Sequence, residues 1–247
     1  MSDPFVFSAF GLFKSYDTQN GPLSVFRNFA LEIRDGEFLA ILGGSGCGKS
    51  TLLRMFAGIV KPDSGTLLFK GAPVDGPHRE IGYLPQSYDL FPWKTVAGNI
   101  SLGLRQLRLS KAEQLERIAK LVHTVNLHGF EDAYPKQLSG GMRQRVALAR
   151  TLATSPTTLL LDEPFAALDA KNREELGSMV RRIFDEGTVR NVVLIAHDLE
   201  EAVQHADRVI LLGPAPSGIV FASATRNSTA TAPANADLVA ECRKHLA

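Results

Sequence analysis

The feature that most constrains the fold is a glycine-rich loop placed between a strand pattern and a helix pattern. An apolar run from Phe38 to Leu42 is typical of a buried strand, and helical spacing of apolar residues begins at Leu52. The nine residues that match a phosphate-binding loop are Gly43, Gly44, Ser45, Gly46, Cys47, Gly48, Lys49, Ser50 and Thr51. An ordinary glycine-rich turn is the alternative, but the strand before it and the helix after it favour a phosphate loop.

Strand and helix patterns along the rest of the chain predict an α/β fold with a mainly parallel sheet. Apolar strand patterns return at residues 158–161 and 192–196, and a helical pattern runs between them from about 171 to 184. Strands that alternate with helices favour parallel pairing. A looser alternation at residues 25–33 belongs to an expected N-terminal antiparallel β portion.

A more polar, helical stretch interrupts this pattern at about residues 87–150 and predicts an inserted α-helical subdomain. Within it, Ser110 and Glu113 have the spacing of a capping box, which marks the start of a helix. We expect a single domain over residues 1–221. A tail over residues 222–247, rich in Ala, Thr, Ser and Asn at first, is expected to be partly flexible with a short helix.

The residue types of the phosphate loop suit a nucleotide and Mg²⁺. Glycines allow backbone N–H groups to turn toward phosphate oxygens, and Lys49 has the length to reach the β and γ phosphates. Ser50 can place its hydroxyl on Mg²⁺. Cys47 is interpreted as a small filler beside the phosphates, with a redox switch as the alternative.

Two carboxylates follow a second buried strand, where α/β sheets place their ligand sites. Asp162 and Glu163 come directly after Leu159 to Leu161. Asp162 would hold Mg²⁺, directly or through water, and Glu163 would polarise the attacking water as general base or water positioner. An acidic strand end facing solvent is the alternative.

His197 and Gln86 complete the set of candidate catalytic residues. His197 follows the third strand pattern and precedes Asp198, a predicted helix N-cap. It can reach a γ phosphate and couple it to the attacking water, or be structural. Gln86 follows the run from Ile81 to Pro85, and its neutral amide can contact Mg²⁺ or water. A surface glutamine is the alternative for Gln86.

A second phosphate receptor is predicted at Ser139, Gly140 and Gly141. These residues stand directly before a helical pattern whose apolar face runs from Val146 to Ala153. A helix start leaves free backbone N–H groups and the positive end of the helix dipole, which together bind anions. Because the chain already has one complete phosphate loop, a second receptor makes sense if two copies close on shared nucleotides.

An aromatic residue near the N-terminus is the candidate for stacking on a nucleotide base. Tyr16 is preferred and Phe13 is the fallback, because a planar ring covers a base without reading its hydrogen bonds. A core aromatic is the alternative for this position.

Composition excludes several classes of partner and location. The chain has 27 Lys and Arg against 26 Asp and Glu, and a net charge of +1 gives no broad attraction for nucleic acid. With only two cysteines, one of them inside the phosphate loop, a reducing compartment is expected and a disulfide framework is not. No apolar run approaches the roughly 20 residues of a membrane span, so any membrane role must be peripheral.

In their order along the chain, these motifs resemble the ATP-binding-cassette (ABC) ATPases, the nucleotide-binding subunits of ABC transporters. The motifs that carry the resemblance are the phosphate loop, Gln86, Leu138 to Met142, Leu159 to Glu163, Ala167 to Asp169 and His197. The resemblance covers about Phe5 to Leu212. It implies a P-loop NTPase core that hydrolyses ATP with Mg²⁺.

The resemblance also implies a head-to-tail dimer. In it, Ser139, Gly140 and Gly141 of one copy contact the ATP held by Lys49 of the other copy. Asp169 signals across the interface. The second copy of the chain is therefore the first implied partner.

The remaining implied partners are a membrane permease and, indirectly, a solute-binding protein. A single cassette without a membrane segment resembles an importer subunit bound peripherally at the cytoplasmic face of the inner membrane. The segment from Leu90 to Val96 is similar to the sub-family that serves nitrate, sulfonate and taurine. Contact with the permease is expected from Gln86 to Trp93, where Phe91, Pro92 and Trp93 would help form a groove. Alternatively, Trp93 packs within the inserted α-helical subdomain.

Two other classes of ABC protein fit the sequence less well. A non-transport ABC protein acting on chromosomes or ribosomes would carry long heptad insertions or two cassettes, and the sequence shows neither. A regulatory subunit without turnover would be expected to lose Glu163 or His197, and both are present.

Overall fold

The computed structural model describes residues 4–19, 21–166, 168–223 and 232–246, and in the last range it describes side chains from 237 to 245. Two compact units divide the chain: unit 1 comprises Met1–His78 and Arg190–Ala247, and unit 2 comprises Arg79–Val189. The strands of the described residues are β1 (Phe5–Thr18), β2 (Gly21–Arg34), β3 (Phe38–Gly43), β4 (Ser64–Phe69), β5 (Ala72–Pro73), β6 (Ile81–Leu84), β7 (Thr158–Asp162), β8 (Asn191–Ile195), β9 (Arg208–Leu212) and β10 (Ile219–Ala222). Their α-helices are α1 (Lys49–Phe56), α2 (Val96–Leu104), α3 (Lys111–Thr124), α4 (Gly140–Leu152), α5 (Ala170–Asp185), α6 (Leu199–His205) and α7 (Ala232–Leu246).

Unit 1 begins with an antiparallel sheet in the order β2, β1, β4, β5. In β2, the side chains of Phe29, Leu31 and Ile33 are buried and alternate with exposed residues. This period of two is expected for a strand that packs one face on the core and leaves the other in water. The predicted N-terminal antiparallel portion is confirmed.

Parallel strands form the second sheet region of unit 1. β3 pairs in parallel with β8 on one side and with β9 on the other, and β10 pairs antiparallel with β9. Every residue of β8, and all of β3 except its last, is buried, as expected for strands covered on both faces. Because Ile41 stands opposite Ile195, the carboxyl ends of β3 and β8 lie at the same edge.

Unit 2 contains the parallel pair β6 and β7 together with helices α2 to α5. Helix α2 packs against both α3 and α4. The predicted capping box begins α3: the Ser110 hydroxyl accepts the N–H of Glu113, and the Glu113 carboxylate accepts the N–H of Ser110 at 2.7 Å. The stretch 87–150, where a helical subdomain was predicted, lies within unit 2.

The C-terminal helix α7 packs against α6, β9 and β10 in unit 1. Arg243 pairs with Glu200, and the His245 ring stacks on Phe221 with 5.1 Å between ring centroids. Residues 224–231, which belong to the expected flexible connection, lie outside the described residues. In the described part of the chain, no helix has the length and apolar character needed to span a membrane.

Candidate nucleotide site

The phosphate loop depends on a glycine directly before α1. Gly48 has a φ of 96°, in the left-handed region that side chains rarely adopt. A Cβ at Gly48 would also lie 2.3 Å from Cγ1 of Val25. Both the conformation and the space therefore require glycine. The chain turns here into α1, and a helix start of this kind directs its first backbone N–H groups toward an anion.

Lys49 is buried inside this loop. Its Nζ donates to the carbonyl oxygens of Gly43 at 2.8 Å and Gly44 at 3.1 Å. A buried ammonium whose hydrogen bonds go to neutral carbonyls carries a large desolvation cost. A phosphate bound by the loop would supply the missing negative charge, so the surroundings of Lys49 fit an anionic ligand.

Cys47 packs tightly beneath the same loop. Its side chain is buried, and a Cβ at Gly43 would lie 2.8 Å from its Sγ. The Cys47 carbonyl accepts a hydrogen bond from the Ser217 hydroxyl. Because buried thiols react poorly, these contacts favour the packing role over a redox switch.

His197 lies at the same edge of unit 1 as the phosphate loop. The loop follows β3 and His197 follows β8, and these two strands are parallel neighbours. The His197 side chain is exposed. Asp198 is the N-cap of α6, as predicted, and its Oδ1 accepts the N–H of Glu201 at 3.0 Å.

Tyr16 lies outside the core, so it is not the core aromatic that was the alternative for this position. Its side chain is 39% exposed on β1, whereas Phe13 is half-buried. The ammonium of Lys14 lies 5.3 Å from the Tyr16 ring centroid and 2.7 Å from a carboxylate oxygen of Asp63. Hydrogen bonds from Lys14 and from the Ser15 N–H lower the pKa of Asp63 below its ordinary value. Asp63 therefore stays ionised and holds Lys14 beside the ring.

In unit 2 the carboxylates that follow β7 meet residues of the neighbouring strand β6. Asp162 is 1% exposed, and its Oδ2 accepts a hydrogen bond of 3.1 Å from the Tyr83 hydroxyl. Glu163 accepts a hydrogen bond of 2.8 Å from the Gln86 amide. The structure thus brings together two predicted catalytic residues, Gln86 and Glu163. Tyr83 was not predicted, because its role depends on the register of β6 against β7.

The backbone of Glu163 adopts an unusual conformation. Its φ is 50°, in the left-handed region, which costs a non-glycine residue roughly 1 kcal/mol. Such conformations persist where the surrounding structure fixes them, and they cluster at functional sites. The strain therefore supports a functional role for this carboxylate.

The donors proposed for Mg²⁺ are of the right chemical type. Ser50, Gln86 and Asp162 offer oxygen atoms, which Mg²⁺ prefers, and Mg²⁺ in nucleotide sites is bound through one or two carboxylates together with substrate phosphates. Across the described residues, no group of three or more His, Cys, Asp and Glu side chains could hold a metal. Each of these side chains is of a type that binds a metal arriving with a nucleotide.

The second predicted phosphate receptor has the expected helix start. Ser139 is the N-cap of α4, and its Oγ accepts the N–H of Met142 at 3.2 Å. The predicted apolar face, from Val146 to Ala153, is buried. Ser139 itself is exposed. The positive end of the α4 dipole is therefore presented to solvent.

Asp169 lies beside the start of α4 in the same unit. It caps α5, because its two carboxylate oxygens accept the N–H of Asn172 at 2.9 Å and the Asn172 amide at 2.6 Å. A Cβ at Gly141 would lie 3.2 Å from Oδ1 of Asn172. The two Asn172 hydrogen bonds lower the pKa of Asp169, so this carboxylate is ionised. Asn172, which links the two motifs, was not predicted.

An exposed aromatic pair follows Gln86 on the segment 88–95. Trp93 is 70% exposed and Phe91 is 39% exposed, with their rings edge to face at 5.3 Å between centroids. Trp93 therefore does not pack within the inserted α-helical subdomain. Fully buried Asn99 fixes the turn, since its Oδ1 accepts the Phe91 N–H at 2.9 Å and its amide donates to the Lys94 and Thr95 carbonyls at 3.0 Å each. Exposed aromatic patches of this kind mark interaction sites.

Comparison with known proteins gives a consistent set of relatives. The ABC transporter family model matches residues 26–166. An uncharacterized ABC transporter ATP-binding protein of Methanocaldococcus jannaschii is 44% identical over 84% of this chain and 78% of its own length. A taurine import ATP-binding protein of Yersinia pestis is 43% identical over 78% of this chain and 76% of its own length. A sulfate/thiosulfate import ATP-binding protein of Cucumis sativus is 47% identical over 78% of this chain but 57% of its own length.

Solved structures show the same fold. A dimeric ATP-binding cassette in a post-hydrolysis state, bound to ADP and Pi, has a TM-score of 0.80 at 29% identity, covering 90% of this chain and 99% of the other. A subunit of an ABC transporter complex from Clostridium perfringens has a TM-score of 0.80 at 26% identity, covering 98% of this chain and 93% of the other. The predicted fold class is confirmed.

Proposed function

Because the chain belongs to the ABC transporter family and is an ATPase of that family, we propose that it drives an importer of small solutes. It would work peripherally at the cytoplasmic face of the inner membrane, with a separate permease and, indirectly, a solute-binding protein. The observation that carries this proposal is the 2.8 Å hydrogen bond from Gln86 to Glu163. It joins the carboxylate proposed for hydrolysis to the start of the segment that presents Phe91 and Trp93.

ATP is held through its phosphates in this proposal. The N–H groups of the phosphate loop bind phosphate oxygens, and the Lys49 ammonium leaves its carbonyl partners for the β and γ phosphates. Ser50, Asp162 and Gln86 would hold Mg²⁺, which offsets phosphate charge when bound. The exposed ring of Tyr16 covers the adenine.

Hydrolysis uses one water molecule. Glu163 positions the water and accepts its proton as the water oxygen attacks the γ phosphorus, while the bond to the β–γ bridging oxygen breaks and ADP leaves. His197 holds the γ phosphate in line with the water. Gln86 controls the orientation of Glu163 through its amide, so docking of the permease on the 88–95 segment would alter the rate.

The nucleotide is shared between two copies of the chain in this mechanism. Ser139, Gly140 and Gly141 of one copy would bind the γ phosphate of ATP held by Lys49 of the other, and Asp169 would signal between the copies. Two observations support this: the exposed N-terminus of α4 and the dimeric state of the solved cassette. ATP binding would favour the closed dimer, and hydrolysis would return it to the open state.

The solute proposed is nitrate, a sulfonate or a taurine-like compound. Relatives named as taurine import and sulfate/thiosulfate import proteins support a small anionic or zwitterionic solute. The solute itself would be selected by the permease and the solute-binding protein.

Replacing Trp93 tests the permease contact. We expect Trp93→Ala to weaken binding of the membrane subunit by about 30-fold, because a central tryptophan of an interface commonly contributes roughly 2 kcal/mol. Affinity purification of the tagged chain from its own membranes measures the recovered multi-helix subunit. Since Trp93 is 70% exposed, the Tm of the variant should match the wild type. Equal recovery of the membrane subunit by both proteins would contradict the contact.

Replacing Tyr16 tests the base contact. We expect Tyr16→Leu to weaken ATP and GTP binding alike by about 10-fold, since stacking contributes about 1–3 kcal/mol per base and does not read its identity. Calorimetric titration measures both dissociation constants. Phe13→Leu is the matched control on the same strand and should leave both constants unchanged. If Phe13→Leu weakens binding and Tyr16→Leu does not, the base lies on Phe13.

A further inference from the structure

One arginine connects the segment 88–95 to helix α4. The guanidinium of Arg150, in the last turn of α4, donates to the carbonyl of Tyr88 at 2.9 Å and to the carbonyl of Asp89 at 2.8 Å. Asp89 has a left-handed backbone, with a φ of 42°. The planar fork of an arginine can donate to two adjacent acceptors at once. A lysine ammonium is a point charge and lacks this fork geometry.

Helices α2 and α4 form a firm support behind this contact. A Cβ at Gly103 of α2 would lie 2.5 Å from the carbonyl oxygen of Arg150 and 2.7 Å from Cβ of Ala153. The two helices therefore touch closely at Arg150. Asn99, one turn earlier on α2, holds the other end of the segment, because its amide donates to the carbonyls of Lys94 and Thr95. The segment 88–95 is thus held at both ends by one pair of packed helices.

The opposite end of α4 carries Ser139. The helix has 13 residues, so at 1.5 Å per residue it is about 20 Å long. A packed α-helix moves as a rigid element, and displacement at one end displaces the other. A displacement of the carbonyls of Tyr88 and Asp89 would therefore displace Ser139 at the second phosphate receptor.

We propose that Arg150 is a positioning residue that couples permease docking on the segment 88–95 to the placement of Ser139. This role rests on the proposed function. Arg150 acts through the backbone carbonyls of Tyr88 and Asp89 and touches neither the nucleotide nor the permease. The coupling carries the docking signal to the receptor for the other copy's ATP, separately from the contact between Gln86 and Glu163.

The decisive variant is expected to fold. Asp89 is exposed and Tyr88 is half-buried, so water can replace the guanidinium at their carbonyls in Arg150→Met. Methionine also keeps the length and apolar contacts of the arginine stem. Arg117 on α3 provides a matched control, because its guanidinium also donates to a backbone carbonyl, that of Ala153, at 3.0 Å.

The experiment compares ATP turnover of the isolated chain with that of the complex it forms with its co-purified membrane subunit in lipid vesicles. We expect Arg150→Met to retain isolated turnover and its KM for ATP, while the ratio of stimulated to isolated turnover falls about 3- to 10-fold. Arg150→Lys should recover part of this ratio, and Arg117→Met should keep all of it. In the isolated chain, Arg150→Met should also speed hydrogen exchange of the amides of 88–95.

Two results would overturn the coupling role and leave the proposed function standing. One is a ratio of stimulated to isolated turnover in Arg150→Met equal to that of the wild type. The other is a fall in this ratio in Arg117→Met as large as that in Arg150→Met. A fall in isolated turnover that matches the fall in stimulated turnover would show a general structural effect and would also overturn it. A wild-type chain that is not stimulated by its membrane subunit would overturn the proposed function, and the coupling role with it.

Discussion

Glu163→Gln is expected to reduce ATP turnover by about 10²- to 10⁴-fold, the usual contribution of a general base. The amide has the size of the carboxylate and can keep a hydrogen bond with Gln86, so the geometry should persist while the proton acceptor is lost. ATP binding should remain within a few-fold of the wild type, and the nucleotide-bound dimer should accumulate. Single-turnover and steady-state phosphate release measure the loss.

The control for this variant is Glu116→Gln, which makes the same change at an exposed position on α3. It should turn over ATP at the wild-type rate. Wild-type turnover in Glu163→Gln would remove Glu163 from the mechanism.

Ser139→Arg should have the second largest effect. A long side chain at the start of α4 would occupy the space where the other copy's phosphate must approach, and the cap to Met142 would be lost. We expect turnover to fall by about 10²-fold or more, comparable to the loss of one donor to transition-state charge. Binding of ATP by each single copy should be unchanged, because the phosphate loop is intact.

Ser110→Arg separates this effect from simple loss of a helix cap. Ser110 caps α3 with the same hydroxyl-to-backbone bond, and removing either cap should cost about 1 kcal/mol of stability. Only Ser139→Arg should reduce turnover. A similar loss of turnover in both variants would indicate that helix stability, rather than a shared phosphate site, limits the reaction.

Local signals in the sequence were sufficient to predict the phosphate loop, several helix caps and two buried strands. The phosphate loop, the caps at Ser110, Ser139 and Asp198, and the apolar runs within β3 and β8 each depend on neighbouring residues. Such features can be predicted because their hydrogen bonds close within a few residues.

Contacts between distant segments could not be predicted in the same way. The hydrogen bonds from Tyr83 to Asp162 and from Gln86 to Glu163 require the register of β6 against β7, which no local pattern specifies. Arg150 contacts residues some 60 positions earlier in the chain. For Asn99 the sequence offers one signal, because it is the lone amide in an apolar helix. Such an amide is expected to have a buried hydrogen-bond partner, but the sequence does not identify that partner.

The position of Tyr16 shows a further limit. The pairing of β1 with β2 shifts register between Leu12 and Lys14 and again between Lys14 and Ser15. Each irregularity interrupts the alternation of side chains between the two faces of a strand. Counting along β1 therefore did not decide whether Tyr16 faces the core or the solvent.

The shared nucleotide site is tested most directly by sedimentation of Glu163→Gln with and without Ser139→Arg, in the presence of Mg²⁺ and ATP. We predict that Glu163→Gln sediments as a dimer only when ATP is added. The double variant should bind ATP with the same affinity and remain a monomer. A double variant that dimerises as readily as Glu163→Gln would contradict a site completed by Ser139 of the second copy.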